Sequence, residues 1–513
     1  MTQHGSTLPQ ITAGERVRSH EEIRARAASA AEGFRGRGTG LGDAVALCLR
    51  NDFAFFEAAL GASAAGAFPV PMNWHVTADE ASYILRDCGA KALVVHADLL
   101  PAIAAGLPEG LLVLVVDTPA EIRRAYRLAD GPVADDGRAK WEPWLAALPP
   151  IERVATESRS AVVYTSGTTG NPKGVRRAPS GGTVALEIAA LGYGLRSDGE
   201  MTVLMNGPMY HSAPNSYGMI AFNAGAQIVL QPRFDAEEML ALIERHRVTH
   251  MHIVPTMFVR LLRLREAVKR RYDLGSLQAV VHGAAPCPPE IKHAMIEWWG
   301  PVIREYYGST ETGLITAHDS KEALANPGTV GRTLPGVMVK ILGEDRRELP
   351  TGEAGDIYVH SIAASNFEYI GIGRSHELID GADFVTLGDI GYLNEDGYLF
   401  ICDRRRDMII SGGVNIYPAE IEKVILTLDG VADCAVFGIP DDEFGEAVCA
   451  YVQPSRKGEL DAEDIGAALR MKLSRFKLPR RIEFVDELPR EDSGKVFKRK
   501  LREPYWAGRA RTI

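Results

Sequence analysis

Residues 164–175 read Tyr-Thr-Ser-Gly-Thr-Thr-Gly-Asn-Pro-Lys-Gly-Val, and no other stretch constrains this chain as strongly. The preceding Ser160-Ala161-Val162-Val163-Tyr164 is apolar and β-branched enough to form a buried strand. The loop that follows carries four small hydroxyls (Thr165, Ser166, Thr168, Thr169), three glycines (Gly167, Gly170, Gly174) and Lys173. Glycines let the backbone turn tightly and bring its N–H groups against an anion, hydroxyls add neutral donors, and the lysine adds a point charge. Two readings stay open at this point, a Gly/Thr-rich surface turn and a polyphosphate cradle. The Walker pattern G-x-x-x-x-G-K-[ST] does not fit, because Lys173 precedes its glycine and no Ser or Thr follows it. A cradle here is therefore a nucleotide loop of another kind.

A chain of 513 residues is too long for one core, so two to four domains are expected. With 46% hydrophobic and 24% charged residues it has the composition of a globular protein. A net charge of −10 argues against nucleic acid as the main partner. No apolar run of about 18 residues is present, so no membrane span is expected. The start, Met-Thr-Gln-His-Gly-Ser-Thr, lacks the basic and apolar regions of a signal peptide. Cys48, Cys88, Cys287, Cys402, Cys434 and Cys449 are scattered without a C-x-x-C pair, which reads as reduced core thiols in a cytoplasmic protein without a zinc site.

Along the first half, helical and strand signals alternate. Ser19 and Glu22 form a capping box before a helix with Ile23, Ala27, Ala31 and Phe34 on one face. Strand 44–49, helix 52–65, an extended piece at 68–71, a helix begun by Thr77 and Glu80, and strand 92–95 follow. This β-α-β alternation implies parallel sheets covered by helices. Further units follow at 201–205, 226–230, 236–245, 250–254 and 277–281. Strand 201–205 runs into Gly207-Pro208-Met209-Tyr210-His211-Ser212, and strand 277–281 into His282-Gly283-Ala284-Ala285-Pro286. Both suit a ligand site beyond strand C-termini, although the second serves equally as a tight turn under a helix. In Arg304-Glu305-Tyr306-Tyr307-Gly308-Ser309-Thr310-Glu311, an aromatic, a hydroxyl and a carboxylate gather at a glycine turn. Tyr307 can stack on a base, Thr310 can donate to a phosphate, and Glu311 can bind magnesium or simply be solvated. Gly and Pro spacing over 330–360 suggests a small β-subdomain. Beyond Asp403 the chain reads as a compact α/β unit, and residues 470–513 carry 14 Lys+Arg against 6 Asp+Glu. That surplus is either a solvated face or a lid that meets phosphates.

Taken together, the 164–174 loop, Gly283-Ala284-Ala285-Pro286, Tyr307-Gly308-Ser309-Thr310-Glu311, Gly388-Asp389, Asp403-Arg404, Ser411-Gly412-Gly413 and Gly494-Lys495 form an ordered set. It resembles the core motifs of the adenylate-forming superfamily, in its acyl-CoA synthetase branch, over roughly residues 40–502. The resemblance implies an α/β fold: a large N-terminal domain (1–403) of two stacked αβ sheets plus a β-subdomain, then a small mobile α+β C-terminal lid (404–513). It implies ATP, magnesium and coenzyme A, with a small carboxylic acid as the other partner. A homodimer is compatible with it. Thr165, Ser166, Gly167, Thr168, Thr169, Gly170 and Lys173 are implied to hold the departing phosphates. Ala284, Ala285, Pro286, Glu305, Tyr306, Tyr307, Gly308 and Ser309 frame the nucleotide, with Thr310 on the α-phosphate and Glu311 on magnesium. Asp389 and Arg404 hold the ribose, and Lys495 stabilises charge developing at the reacting carboxylate and phosphate. Arg406 is the implied hinge, about which Ser411, Gly412 and Gly413 swing to the thiol. His211, Asn215, Ser216 and Gly283 are implied at the acyl and thiol channel.

Departures from the pattern are Leu387 before Gly388-Asp389, Arg406 in place of Lys or Asp, and Tyr369–His376 in place of the usual segment before that motif. The expected pocket elements (His211, Asn215, Ser216, Tyr217, Gly218, Met219, Phe222, Val281, His282, Gly283, Leu314) are mixed. No acidic residue stands where amino-acid adenylating domains bind an amine, and no Lys or Arg is evident for a second carboxylate. The expected substrate is an apolar monocarboxylate: a fatty acid, a steroid or bile-acid side chain, or an aryl acid, with the first two favoured. Loading of a carrier protein and a non-catalytic nucleotide sensor are the alternatives, and intact Lys173, Glu311 and Lys495 argue against the sensor.

Overall fold

A computed structural model describes residues 8–129, 137–149, 159–165, 172–177, 183–196, 200–361, 367–373, 376–412, 414–456, 460–490 and 496–507. The expected capping boxes are present. Ser19 and Glu22 cap the helix His20–Gly36, which buries Ile23, Ala27, Ala31 and Phe34. Thr77 and Glu80 cap Ala78–Asp87 in the same reciprocal way.

Two αβ sheets dominate the large domain. In the first, Phe68–Pro71, Ala44–Cys48, Ala90–His96, Leu112–Val116 and Ala139–Lys140 lie side by side, and the described pairings are parallel. In the second, Thr202–Met205, Gln227–Leu230, His250–Ile253, Ala279–His282 and Ile303–Ser309 form a parallel centre, extended by the antiparallel Gly313–His318. Both strand sets are apolar on both faces, as sheets covered by helices require. The core between them joins Val45, Leu47 and Leu49 of one sheet to Val203 and Ile228 of the other through Phe34, Phe56 and Phe222 on intervening helices. The N-terminal strand Gln10–Ala13 pairs in parallel with Gln227–Leu230. It thus joins the second sheet, although the chain that follows it builds the first.

The expected β-subdomain comprises Val337–Leu342, Gly355–Ser361, Ala382–Leu393, Glu377–Ile379 and Leu399–Arg404. A third small sheet pairs Val163–Thr165 with Lys173–Arg177, and the latter with Phe367–Tyr369. Beyond Arg404 a separate sheet of Ile409–Ser411, Val414–Ile416, Val431–Asp441, Gly445–Pro454 and Arg481–Phe484 has its own core around Ile421, Val436, Val448 and Leu469. One reading is refined: the Tyr307 stretch is a strand rather than a loop, entering a hairpin at Ser309 with a bulge between Tyr307 and Gly308. No helix among the described residues is long and apolar enough to cross a membrane.

Candidate active site

The C-terminal ends of the second sheet open onto a cavity of about 1060 Å³. Each wall has a local cause. The Pro208–His211 loop is held down by Asn51, whose Nδ2 donates to Gly207 O (2.8 Å) and whose Oδ1 accepts from Met209 N (3.0 Å). That ties the loop to the first sheet and leaves His211 at the N-cap of Ser212–Asn223, facing the cavity with its ring 4.3 Å from Tyr210. At the end of Ala279–His282 the chain turns through Gly283 and Ala284. A Cβ on Gly283 would lie 2.6 Å from the Tyr306 ring, so only glycine fits. Ala284 adopts φ +67°, a left-handed conformation costly for a residue with a Cβ, and lines the cavity. Ala285 and Pro286 continue this turn.

In the hairpin after Ile303–Ser309, Ser309 Oγ accepts from the backbone N–H groups of Glu311 and Thr312 (both 3.1 Å). Gly308, Ser309 and Thr310 line the cavity from this side. A Cβ on Gly308 would meet Gly313 O at 2.2 Å, so the tight hairpin needs glycine. Tyr307 points the other way, and its hydroxyl donates to Asp389 Oδ2 at 2.5 Å. Asp389 is the cross-strand partner of Arg404, whose Nε is 3.3 Å from Asp389 Oδ1. Three residues far apart in sequence therefore form one connected unit. Burial raises the Tyr307 phenol well above its ordinary value and the Asp389 charge adds to this, so the hydroxyl stays a donor.

Thr165 lines the cavity and lies opposite Lys173 across a two-strand pairing, with its Oγ1 3.5 Å from Lys173 O. Lys173 Nζ sits 5.4 Å from the Tyr369 ring centroid, and the Tyr369 hydroxyl donates to Glu311 Oε1 at 3.1 Å. Tyr369 thus links the lysine to the carboxylate expected on magnesium. Among the described residues no cluster of three or more His, Cys, Asp or Glu could cage a metal. A single carboxylate beside a phosphate cradle is what magnesium bound to a nucleotide needs, since phosphates and water fill its other positions. Ser166, Gly167, Thr168, Thr169, Gly170, Gly413 and Lys495 lie outside the described residues. Val496, the residue after Lys495, lines the cavity, as do Arg404 and Arg406.

Several expected residues face elsewhere. The Glu305 side chain points away from the cavity into a buried cluster, paired with Lys292, 2.8 Å from His318 Nε2 and 3.9 Å from His282 Nε2. Burial alone would raise its carboxyl, but His282, Lys292 and His318 hold it well below the usual range. Asn215 is buried and donates to Met209 O at 2.9 Å, so it fastens the loop instead of lining the channel. Ser411 and Gly412 sit at the end of Ile409–Ser411, where Gly412 N donates to Phe444 O at 2.8 Å, and neither lines the cavity. Val281, His282, Tyr217 and Phe222 are fully buried.

Ser216, Ile220, Met257 and Leu314 do line the cavity, together with Tyr193, Tyr306 and His252. The rings of Tyr193 and Tyr306 meet edge-on at 5.3 Å, those of Tyr193 and Tyr217 at 5.5 Å, and His252 Nε2 is 3.0 Å from the Tyr306 hydroxyl. Burial depresses the His252 imidazole to about 3, so it is neutral at pH 7. The floor is therefore aromatic and hydroxylated. Arg177, at the end of Lys173–Arg177, also lines the cavity and donates from Nη2 to Thr310 O. Sequence reasoning missed it. The available signal was strand alternation, which turns Arg176 outward to Glu368 and Arg177 inward.

The AMP-binding enzyme family model matches residues 3–366, and the AMP-binding enzyme C-terminal domain model matches residues 420–495. The chain is 32% identical to a fatty acid–[acyl-carrier-protein] ligase, ScoC, of Streptomyces coeruleorubidus, covering 100% of this chain and 96% of that protein. It is 31% identical to a feruloyl-CoA synthase of an Amycolatopsis species over 97% of this chain and 96% of the relative. ATP-bound MatB from Rhodopseudomonas palustris superposes with a TM-score of 0.81 at 29% identity, covering 98% and 96% of the two chains. A large domain built on two αβ sheets, a small domain after it, and relatives along the whole chain make this protein a member of the AMP-binding enzyme family, the adenylate-forming acid–thiol ligases.

Proposed function

We propose that the protein is an AMP-forming acyl-CoA synthetase that activates a carboxylic acid with a compact, largely apolar body. The observation that carries this is the convergence on one cavity of Thr165, His211, Ala284, Ser309, Thr310 and Arg404, backed by the Tyr307–Asp389–Arg404 unit. In the first half-reaction a carboxylate oxygen bonds to the α-phosphorus of ATP, and pyrophosphate leaves with the electron pair of the broken P–O bond. In the second a thiol sulfur bonds to the acyl carbon, AMP leaves with the electron pair of the C–O bond, and the thiol proton passes to solvent. Thr165 to Lys173 hold the departing phosphates, Thr310 the α-phosphate, and Asp389 with Arg404 the ribose. Glu311 would hold magnesium, which supplies neutralisation of phosphate charge when bound. Lys495 stabilises the charge that develops between carboxylate and phosphate. The lid of residues 404–513 then turns about Arg406, taking Lys495 away and bringing Ser411-Gly412-Gly413 in, because both half-reactions need the same space.

Ile188, Ala189, Ile220, Val254, Met257 and Leu314 supply apolar walls for the acid, and the Tyr193–Tyr306 floor closes the far end. This favours ring-bearing acids, aryl or steroid side-chain, over extended fatty chains. The test is pyrophosphate release with ATP and magnesium over fatty, aryl and steroid acids, with and without coenzyme A, using Lys495→Ala as control. Acid-dependent release that speeds up with coenzyme A and drops by about 10²-fold or more in the variant is expected from loss of one transition-state donor. No release with any acid would overturn the reading. Loading of a carrier protein is the second reading, favoured by the likeness to ScoC. Release that stalls after one turnover regardless of coenzyme A would select it.

A further inference from the structure

Several enclosed arginines of the large domain have acidic partners: Arg16 with Asp52, Arg18 and Arg26 with Glu57, Arg50 with Asp98. Arg177 differs. It lines the cavity, yet among the described residues no carboxylate lies within ion-pair distance, and its recorded hydrogen bond is from Nη2 to the Thr310 backbone carbonyl. A guanidinium has five N–H donors in a planar fork shaped for a carboxylate, so this contact leaves most of its capacity unused. Holding a cation in an enclosed site with no carboxylate in contact is costly unless something neutralises it. Its surroundings suit an anion. Tyr193 lines the same cavity, and burial pushes its phenol up to about 12, so the hydroxyl is neutral. His252 and Tyr306 add a linked imidazole and phenol to the same floor. Glu311 lies near enough to act on Arg177, but its Oε1 accepts from Tyr369.

Resting on the ligase reading above, we infer that the acid carries a second carboxylate, and that Arg177 receives it from the wall beside Thr310 while the first reacts. Because Arg177 touches the residue expected at the α-phosphate, the two carboxylates are separated by a short span, as in a short-chain or ring-borne dicarboxylic acid. Arg177 is thus a specificity determinant, and the expectation of a monocarboxylate loses its ground, which was the lack of a suitably placed cation.

The experiment uses matched acids with the full-length protein: 3-phenylpropanoate against 3-(2-carboxyphenyl)propanoate, and pentanoate against glutarate, each diacid also as the amide of its second carboxyl. Affinity is read by titration calorimetry and turnover by pyrophosphate release. At least one diacid should bind at least ten times tighter than both its monoacid and its half-amide, the margin of a charge-assisted pair. Arg177→Gln should shrink that margin to about twofold, and Arg177→Lys should keep part of it. The inference falls if the wild-type protein binds monoacids as well as diacids, if no diacid binds, or if the margin survives in Arg177→Gln. It falls equally if that variant weakens both acid classes alike, since Arg177 would then only clamp the Thr310 loop. Selective binding of a diacid without pyrophosphate release would overturn the ligase reading and leave this one standing, whereas preferred turnover of a monoacid would do the reverse.

Discussion

Tyr307 and His282 show how single side chains around the cavity are set by what encloses them. The Tyr307 hydroxyl orients Asp389, which would face the ribose, so Tyr307→Phe removes a charge-assisted hydrogen bond of about 1.5–3 kcal/mol. The expected result is a rise of about tenfold in the KM for ATP with a smaller change in kcat, read from pyrophosphate release at varied ATP. His282 is fully buried, and burial depresses its imidazole from 6.5 to about 3; His252 falls to about 3 and His20 to about 4 for the same first cause. The unfolded chain therefore takes up protons below pH 6.5 that the native protein refuses until pH 3–4. Stability is present at neutral pH and falls as pH drops through that window. Each such group contributes a slope of about 1.4 kcal/mol per pH unit. Urea unfolding between pH 6 and 4.5 should show the decline, and His282→Gln should flatten it by about one group's share.

Among elements, the turn after Ala279–His282 and the hairpin after Ile303–Ser309 build the cavity wall jointly, because Gly283 packs directly against Tyr306. Gly283→Ala would drive a methyl into that ring and, through it, disturb the His252–Tyr306 hydrogen bond. A loss of about 1–3 kcal/mol, as for other overpacked sites, is expected in denaturant unfolding. The acid's affinity should fall with it while Gly308 and the Ser309 turn keep ATP affinity within a few-fold. Element existence was largely legible from local signals. Reciprocal capping at Ser19 and Thr77 announced two helices, and apolar runs announced the buried strands. The Tyr307 stretch was not, because Gly308, Ser309 and Thr310 have turn chemistry, and cross-strand pairing to Gly313–His318 outweighs it.

Across the whole molecule, the small domain meets the large one through hydrogen bonds to its backbone. Arg263 Nη2 of the large domain donates to Ala432 O (2.5 Å) and Val431 O (3.3 Å) of the small one, while within the small domain Arg502 Nη1 donates to Arg406 O (3.2 Å) at the expected hinge. If the lid swings between half-reactions, such contacts belong to one arrangement only and bias the balance between the two. Arg263→Ala should slow the pyrophosphate burst by about three- to tenfold, the worth of roughly one net hydrogen bond. Thioester formation from pre-formed acyl-adenylate should be unchanged or faster, measured by rapid quench. Equal slowing of both steps would show that Arg263 supports the fold and not the exchange.

The linear chain announced the nucleotide chemistry and the two-part α/β architecture, because a phosphate cradle and an ordered set of turns depend on residue types at short, fixed spacings. Folding decided what lies between those turns. Gln10–Ala13 crosses to the second sheet because the edge of Gln227–Leu230 offers unpaired backbone groups, which no local pattern records. Glu305 turns inward because Lys292 and His318 supply its charge partners from other elements. The fit of the acid was hidden for the same reason. Tyr193, His252, Tyr306 and Arg177 come from four separate elements, and only packing places their phenols, imidazole and guanidinium around one cavity.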